Sequence, residues 1–308
     1  MLKVAVIIIN YNTSKYTVAC IESILAKTPD TFNFKIYVVD NNSAKEDYFY
    51  LKNYFDQKSH PKVSVHRSKI NKGFGGGNML GIQYAEPSEY VAFINNDTLF
   101  LNNCLSELYH FITHNKTAGI VGGQSYNEHE KEIISFDHYA TTTRQIFGRK
   151  FLELIDSKKY PRRKKSYNQS MKVNTVSGSF MLVDRDSFNE IGGFDENLFL
   201  YYEETDVCLR LKNIGKDCYF VPSAKYLHYH GISTEHSDRI KKELKISLVY
   251  LVQKHFGCLS KNLLLIYLIF TTFFASIIKP RKWSFLLLYL QGAPLSKSLK
   301  TQQKITEI

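Results

Sequence analysis

Four short polar clusters each follow, or stand beside, an apolar strand-like run: Asn10-Tyr11-Asn12, Asp40-Asn41-Asn42, residues 71–81 (NKGFGGGNMLG) and Asn95-Asn96-Asp97. Singly, each has the composition of a turn. Together, at the carboxyl ends of successive strands, they outline one pocket, because open α/β sheets bind ligands beyond those ends. A carboxylate at Asp97 suits a divalent cation bridging two phosphates. Mg2+ and Mn2+ prefer oxygen ligands and take few from protein when phosphates supply the rest. Asp40 suits a hydrogen bond from an imide N–H of uracil or thymine, or from ribose. Asn71, Gly73, Phe74, Gly77 and Asn78 lie in the glycine run, which allows close backbone approach to a ligand at a helix N-terminus. That run is not a GxGxxG fingerprint, since Asn78 stands where the last glycine is required, and no P-loop occurs. Glu203, Glu204 and Asp206 open a helix. One of them can take the proton of an attacking hydroxyl, and all three equally suit the positive end of a helix dipole.

The elements that must position these groups follow from periodicity. Residues 4–9, 35–39, 63–66 and 90–94 are expected as strands, with helices over 16–26, from the glycine loop to about 85, and over 104–113. This alternation predicts an α/β fold with a mostly parallel sheet flanked by helices. Residues 127–171 break the rhythm and are expected as an irregular, partly mobile insertion. They carry KKYPRRKK (158–165), with six basic residues in eight positions, read as a solvated loop or as a phosphate- or membrane-facing one. Residues 173–183 read as a strand, a helix runs from Glu203 to near Gly215, and 218–221 and 226–230 read as two short strands. Residues 263–278 hold sixteen positions without a charge, followed by Lys279-Pro280-Arg281-Lys282-Trp283 and a second apolar run. That is short of the roughly twenty residues of a membrane span. Peripheral membrane contact is expected, with a buried helical hairpin or an oligomer interface as the alternatives.

The 308 residues are 44% hydrophobic and 22% charged, enough for one large domain with a tail. A net charge of +11 implies acidic partners: nucleic acid, anionic lipid or phosphorylated substrate. No RNA-binding, zinc-finger or helix-turn-helix signature accompanies it, so nucleic acid is not expected. Five cysteines with no CxxC imply free thiols rather than a zinc site or disulfides. The opening MLKVAVIIINYN reads as a buried strand rather than a signal peptide, so the cytoplasm is expected.

Taken in order, VIIINYN, VVDNNS, NKGFGGGNMLG, FINNDT, SGSFMLV, GGFDENLFLYYEETDVCLRL and HYHGIS resemble the motifs of family 2 glycosyltransferases, and within them the bacterial rhamnosyltransferase-like branch. The resemblance covers about residues 3–235. It implies a GT-A fold over residues 1–235, with a nucleotide-binding half to about 125, an acceptor-binding half from about 126, and a C-terminal helical region over 236–308. It implies metal-dependent, inverting transfer of a sugar from a nucleotide-diphosphate donor, dTDP-rhamnose favoured, with Mg2+ or Mn2+. The acceptor would be a saccharide or lipid-linked saccharide in cell-surface polysaccharide synthesis. Asn10, Asn12, Asp40, Asn42, Asn71, Gly73, Phe74, Gly77, Asn78, Asn95, Asn96 and Glu203 are then expected at the nucleotide-sugar site, with Asp40 recognising the base. Asp97 looks like the metal-binding aspartate of a DxD-type motif whose first acid is replaced by Asn95. Glu204 matches the catalytic base, with Asp206 as its rival. His228 matches the histidine that reaches metal or diphosphate, with His230 as a competitor. Transfer of galactosyl, galactofuranosyl or glucosyl units from a UDP-sugar remains open, as does a non-catalytic nucleotide-sugar-binding protein. The joint retention of Asp97 and Glu204 argues against the latter.

Overall fold

β-Branched runs form the strands and amphipathic stretches the helices of a computed structural model that describes residues 1–229, 231 and 237–306. His230, Ile232 and Ser233 of the last motif lie outside the described residues. In chain order the elements are β1 (Leu2–Asn10), α1 (Ser14–Lys27), β2 (Phe34–Asp40), α2 (Lys45–Lys58), β3 (Val63–Arg67), α3 (Gly73–Tyr84), β4 (Ser88–Asn95), β5 (Thr98–Phe100) and α4 (Cys104–His114). Then come β6 (Ala118–Tyr126), β7 (Phe136–Asp137), α5 (Thr142–Phe147), α6 (Arg149–Ile155), β8 (Met171–Val173), β9 (Thr175–Val176), β10 (Phe180–Asp184) and α7 (Arg185–Glu190). The chain continues with α8 (Glu203–Asn213), β11 (Asp217–His228), α9 (Asp238–Ile278) and α10 (Trp283–Leu290).

The main sheet runs β3-β2-β1-β4-β10-β6-β11-β5, with β8 beside β11, and β7 pairs separately with β9. Its first four strands are parallel; β10 enters antiparallel to both β4 and β6. Strand alternation serves both faces at once. On β1, Val4, Val6 and Ile8 join the core beneath α1, α2 and α4, while Ala5 and Ile7 join the core beneath α3, α7 and α8. Each fully buried Val or Ile side chain contributes about 1.5–3 kcal/mol.

Several sequence expectations are corrected here. The glycine run is not a loop before a helix; it forms the first turns of α3. A Cβ at Gly81 would lie 2.4 Å from the Ile7 side chain, and one at Gly73 (φ +71°) would lie 2.1 Å from the Phe199 carbonyl oxygen. The glycines therefore let α3 pack directly on β1 and on the segment before α8. Residues 173–183 are not one strand: β9 and β10 are separated by a turn at Ser177-Gly178-Ser179. The two short strands expected near the end are one, β11, with a register shift between Val221 and Lys225 around Pro222. The insertion contains two short helices and β7. Helix α2, β5 and β6 were not anticipated.

The C-terminal region is helical as expected, although α9 is far longer than the apolar run and breaks at Gly257 (φ 81°). Its first arm buries Ile246, Leu248, Val249, Leu251 and Val252 in a third core shared with Ala140, Leu264, Leu268, Leu288 and Tyr289. Its second arm leaves Leu259, Leu263, Ile266, Phe270, Phe273, Phe274, Ile277 and Ile278 exposed. Among the described residues α9 is the one helix long and apolar enough to cross a membrane, by length and composition. All five cysteines are free, with only Cys258 exposed.

Candidate active site

Strand register brings the predicted polar clusters together. Asn10 pairs with Asp40, Asp40 with Arg67, and Ile9 with Asn95, so the carboxyl ends of β1–β4 finish level. Phe180 pairs with Ile94, which sets the Ser177–Ser179 turn beside this rim. Asn95 N–H donates to the Ser179 carbonyl at 2.8 Å.

Much of this rim is frame rather than surface. The Asn10 side chain is fully buried. Its amide donates to Asp40 (2.9 Å), Ser43 (3.2 Å) and Asp47 (2.9 Å), and its oxygen accepts from Thr17 (2.7 Å). Asn96 is buried and donates to Thr13 (2.7 Å) and Thr17 (2.8 Å). Asn78 is buried and donates to the Phe74 carbonyl inside α3. Of the residues expected against the nucleotide-sugar, Asn10 and Asn96 thus brace the strand ends with their side chains and Asn78 bonds within α3. Asn12 and Asn42 adopt left-handed φ values of 55° and 70°, which asparagine tolerates better than most residues. Asn12 accepts from Ala44 N–H at 2.8 Å, and Asn42 meets Lys304 and Thr306 of the C-terminal segment. Asn71 accepts from Gly73 N–H and from Asn41, which also receives Lys72 N–H; Phe74 N–H donates to Phe199. Gly77 has the Ile9 side chain within 3.2 Å of where a Cβ would stand.

Asp40 is fully buried and accepts from Asn10 and from Ser43 N–H (3.1 Å). The Arg67 Nε lies 3.7 Å from its Oδ1. Arg67, missed in the sequence, donates to the Ser43 carbonyl and lies over the Tyr48 ring, while its buried Nε and Nη1 find no hydrogen-bond acceptor among the described residues. The only sequence cue was a basic residue ending the third of four strands whose neighbours also end in polar groups.

Asp97 and His228, both expected at a metal, lie side by side. Antiparallel pairing of β5 with β11 sets His228 beside Thr98, so Nε2 of His228 lies 3.1 Å from Asp97 Oδ1. The Asp97 carbonyl also accepts from Tyr229 N–H at 3.0 Å. Among the described residues no group of three or more His, Cys, Asp or Glu is arranged for a metal. One carboxylate and one imidazole do not make a closed structural site. They do fit a cation whose remaining ligands are phosphate oxygens and water.

Opposite, α8 is entered through Tyr201 (φ 75°) and Tyr202 (φ 70°), two consecutive non-glycine residues in the left-handed region. Such strain costs about 1–3 kcal/mol each and concentrates at functional sites. It sets the first turn of α8 so that its three acids face different surroundings. Glu203 is buried against Gly75 of α3, and its Oε1 has no hydrogen-bond partner among the described residues. Burial, reinforced by Glu204, holds it well above the usual carboxylate range. Glu204 is half-buried against Gly178 and accepts from Thr205 Oγ1 at 3.1 Å. Burial raises its pKa as well; the Asp137 charge adds to this, and Thr205 and Arg144 oppose it.

Asp206, the rival candidate base, stands in different surroundings. It is fully buried, and His255 (2.7 Å), Lys254 (2.6 Å) and Arg210 (2.5 Å) surround it. Burial alone would raise its pKa; His255, Arg210 and Lys254 override that and hold it at about 2. An ionised carboxylate held by three basic side chains is a poor proton acceptor near neutral pH. It fastens α8 to α9 through Lys254 and His255, residues the sequence did not single out.

Residues 5–192 match the family model described as glycosyl transferase family 2. The chain belongs to that family. It is 26% identical over 269 residues to the rhamnosyltransferase WbbL of Escherichia coli (strain K12), covering 82% of this chain and 93% of that protein. It is 36% identical over 87 residues to the N-acetylglucosaminyl-diphospho-decaprenol L-rhamnosyltransferase of Mycobacterium tuberculosis, 28% of each chain. Among solved structures, GalNAc-T7 with UDP, GalNAc and Mn2+ superposes with a TM-score of 0.61 at 16% identity, over 80% of this chain and 48% of that one. That likeness establishes the GT-A fold. The protein is a rhamnosyltransferase-like family 2 hexosyltransferase using a nucleotide-sugar donor.

Proposed function

We propose that this transferase moves rhamnose from dTDP-rhamnose to a hydroxyl of a lipid-linked saccharide, with inversion at the anomeric carbon. The observation that supports this most is that one turn, Ser177–Ser179, has Glu204 beside Gly178 and bonds through the Ser179 carbonyl to Asn95 and Thr98, on either side of the Asp97 of the Asp97–His228 pair. Residues 1–125 would hold the nucleotide, residues 126–235 the acceptor, and the C-terminal region, 236–308, would face the membrane. A divalent cation held by Asp97 and His228 would neutralise charge on the departing diphosphate. Glu204 takes the acceptor proton as the acceptor oxygen bonds to the anomeric carbon and the bond to the diphosphate breaks. A single displacement inverts that carbon and leaves no covalent intermediate on the chain. Asp40, held by Asn10, Ser43 and Arg67, would orient the base end of the pocket.

The test is turnover and binding of dTDP-rhamnose, UDP-glucose, UDP-galactose, UDP-galactofuranose and GDP-mannose, with and without Mn2+. Selection of dTDP-rhamnose, stimulated by Mn2+, is the expected result. Brisk turnover of a UDP-sugar alone would replace the sugar, and binding of none would remove the transferase reading.

A lipid-linked acceptor places the protein at the inner face of the cell membrane. The exposed apolar second arm of α9, flanked by Lys279, Arg281, Lys282 and exposed Trp283, suits an anionic lipid surface. Pelleting of the full chain with vesicles containing phosphatidylglycerol, reversed by substituting Phe270 and Phe274 with serine, is expected. Equal recovery of both proteins in the supernatant would remove the membrane contact.

A further inference from the structure

The insertion carries an arginine cluster that the transfer reaction as described does not use. Asp137 on β7 accepts from Arg144 Nη1 (3.1 Å) and from Arg149 Nε (2.9 Å) and Nη2 (2.7 Å). The Arg163 Nε lies 3.3 Å from Asp137 and 3.6 Å from Glu153. Three guanidiniums thus face two carboxylates, leaving one positive charge in excess. Arg144 is 4% exposed, and its Nε finds no acceptor among the described residues; the same holds for Nδ1 of His138 beside it. Burial, and then the neighbouring arginines, hold Arg144 and Arg163 below the ordinary guanidinium value, a penalty that an anion would offset.

The position of the cluster is as informative as its charge. On one side, Asp137 pairs with Thr175 of β9, whose Oγ1 donates to the Asp137 carbonyl at 3.0 Å, and β9 runs straight into the Ser177–Ser179 turn against which Glu204 packs. On the other, the partly exposed Arg149 opens α6, the helix that also carries Phe151, stacked at 4.8 Å on Phe147 (59% exposed), and the exposed Leu154 (81%) and Ile155 (64%). Thr142 Oγ1 donates to the Ser260 carbonyl at 2.9 Å and so ties α5 to the apolar arm of α9. The order is base, then arginines, then an exposed apolar surface. The order in a lipid-linked acceptor is sugar hydroxyl, then diphosphate, then hydrocarbon.

We infer that Arg149, supported by Arg144 and Arg163, binds the diphosphate that joins the acceptor saccharide to its lipid. Charge-assisted hydrogen bonds from guanidinium to phosphate are the strong ones, and while Nε and Nη2 of Arg149 hold Asp137, its Nη1 makes no bond to that carboxylate. This rests on the lipid-linked acceptor proposed above. Phe147, Phe151, Leu154 and Ile155 would then meet the first part of the hydrocarbon chain.

The experiment is calorimetric binding of farnesyl diphosphate and of farnesol to the full chain, with and without saturating dTDP and Mn2+ to fill the donor site. Wild type is expected to bind the diphosphate in both conditions. Arg149→Gln should weaken it about tenfold or more, with Arg149→Lys, which keeps the charge and loses the fork, in between. Lys158→Gln/Lys159→Gln should bind as wild type, and farnesol should not distinguish any of them. Circular dichroism and unchanged dTDP binding establish that each variant is folded, Arg149→Lys serving should Arg149→Gln not be. Wild-type affinity in a folded Arg149 variant, or an equal loss in Lys158→Gln/Lys159→Gln, overturns the assignment. Failure of dTDP to bind wild type would count against the donor reading alone, because the arginine dependence is also read without nucleotide.

Discussion

Replacing Glu204 by glutamine is expected to lower kcat by about 10²- to 10⁴-fold, the range for loss of a general base, with donor affinity unchanged. Glutamine keeps the shape and an oxygen for Thr205 Oγ1, and Gly178 leaves room for it, so the first turn of α8 stays intact. What is lost is the ability to accept the acceptor proton. The pH dependence sharpens the test. Burial, with Asp137, raises the Glu204 pKa, and only its ionised form is a base. Activity should therefore rise with pH through a value above the ordinary glutamate pKa of about 4.3, and then level off. The glutamine variant should lose both the rate and this acid limb. Steady-state kcat and KM for wild type and variant across pH decide it. A variant that keeps the wild-type kcat and acid limb would mean that Glu204 is not the base.

That prediction was only half legible in the sequence. Motif order picked out the acids opening α8, but residue types could not separate Glu204 from Asp206. The difference lies in partners: Lys254 and His255 reach Asp206 from a helix far along the chain, and no local pattern announces them. The same holds at the nucleotide end. The strand ends were readable because each apolar run stops at a polar cluster, yet the inward turn of Asp40 depends on Asn10 and Arg67 from two other strands. The glycine run was read as a loop because glycine signals both backbone freedom and lack of volume. At Gly81 the closeness of Ile7 makes volume decisive, while Gly73, at φ +71° against Phe199, needs both. Strand β5 has three residues and no periodicity to read, although its pairing with β11 is what delivers His228 to Asp97. The left-handed Tyr201-Tyr202 pair violates local preference, and its strain was invisible until the backbone was seen.

Substituting Asp97 with alanine is expected to lower metal-dependent donor binding as well as rate, where Glu204→Gln lowers rate alone. Asp97 faces His228 at 3.1 Å and is nearly buried, so its carboxylate sits at a fixed place on the rim. Its removal leaves His228 as the one protein group of the proposed cation site. Charge neutralisation at a departing diphosphate supplies several kcal/mol, which corresponds to about a hundredfold or more in rate. Mn2+ stimulation should disappear, and affinity for dTDP measured with Mn2+ should fall to the level measured without it. The fold should survive, because the hydrogen bond from Tyr229 N–H goes to the Asp97 main-chain carbonyl, and the β5–β11 pairing does not use the carboxylate. Calorimetric dTDP titrations with and without Mn2+, alongside thermal unfolding, separate these effects. A folded variant that keeps the wild-type Mn2+ response would make the Asp97–His228 pair a structural contact and place any cation elsewhere. The two variants therefore should fail differently: one binds donor and cannot transfer it, and the other loses the metal-dependent part of donor binding.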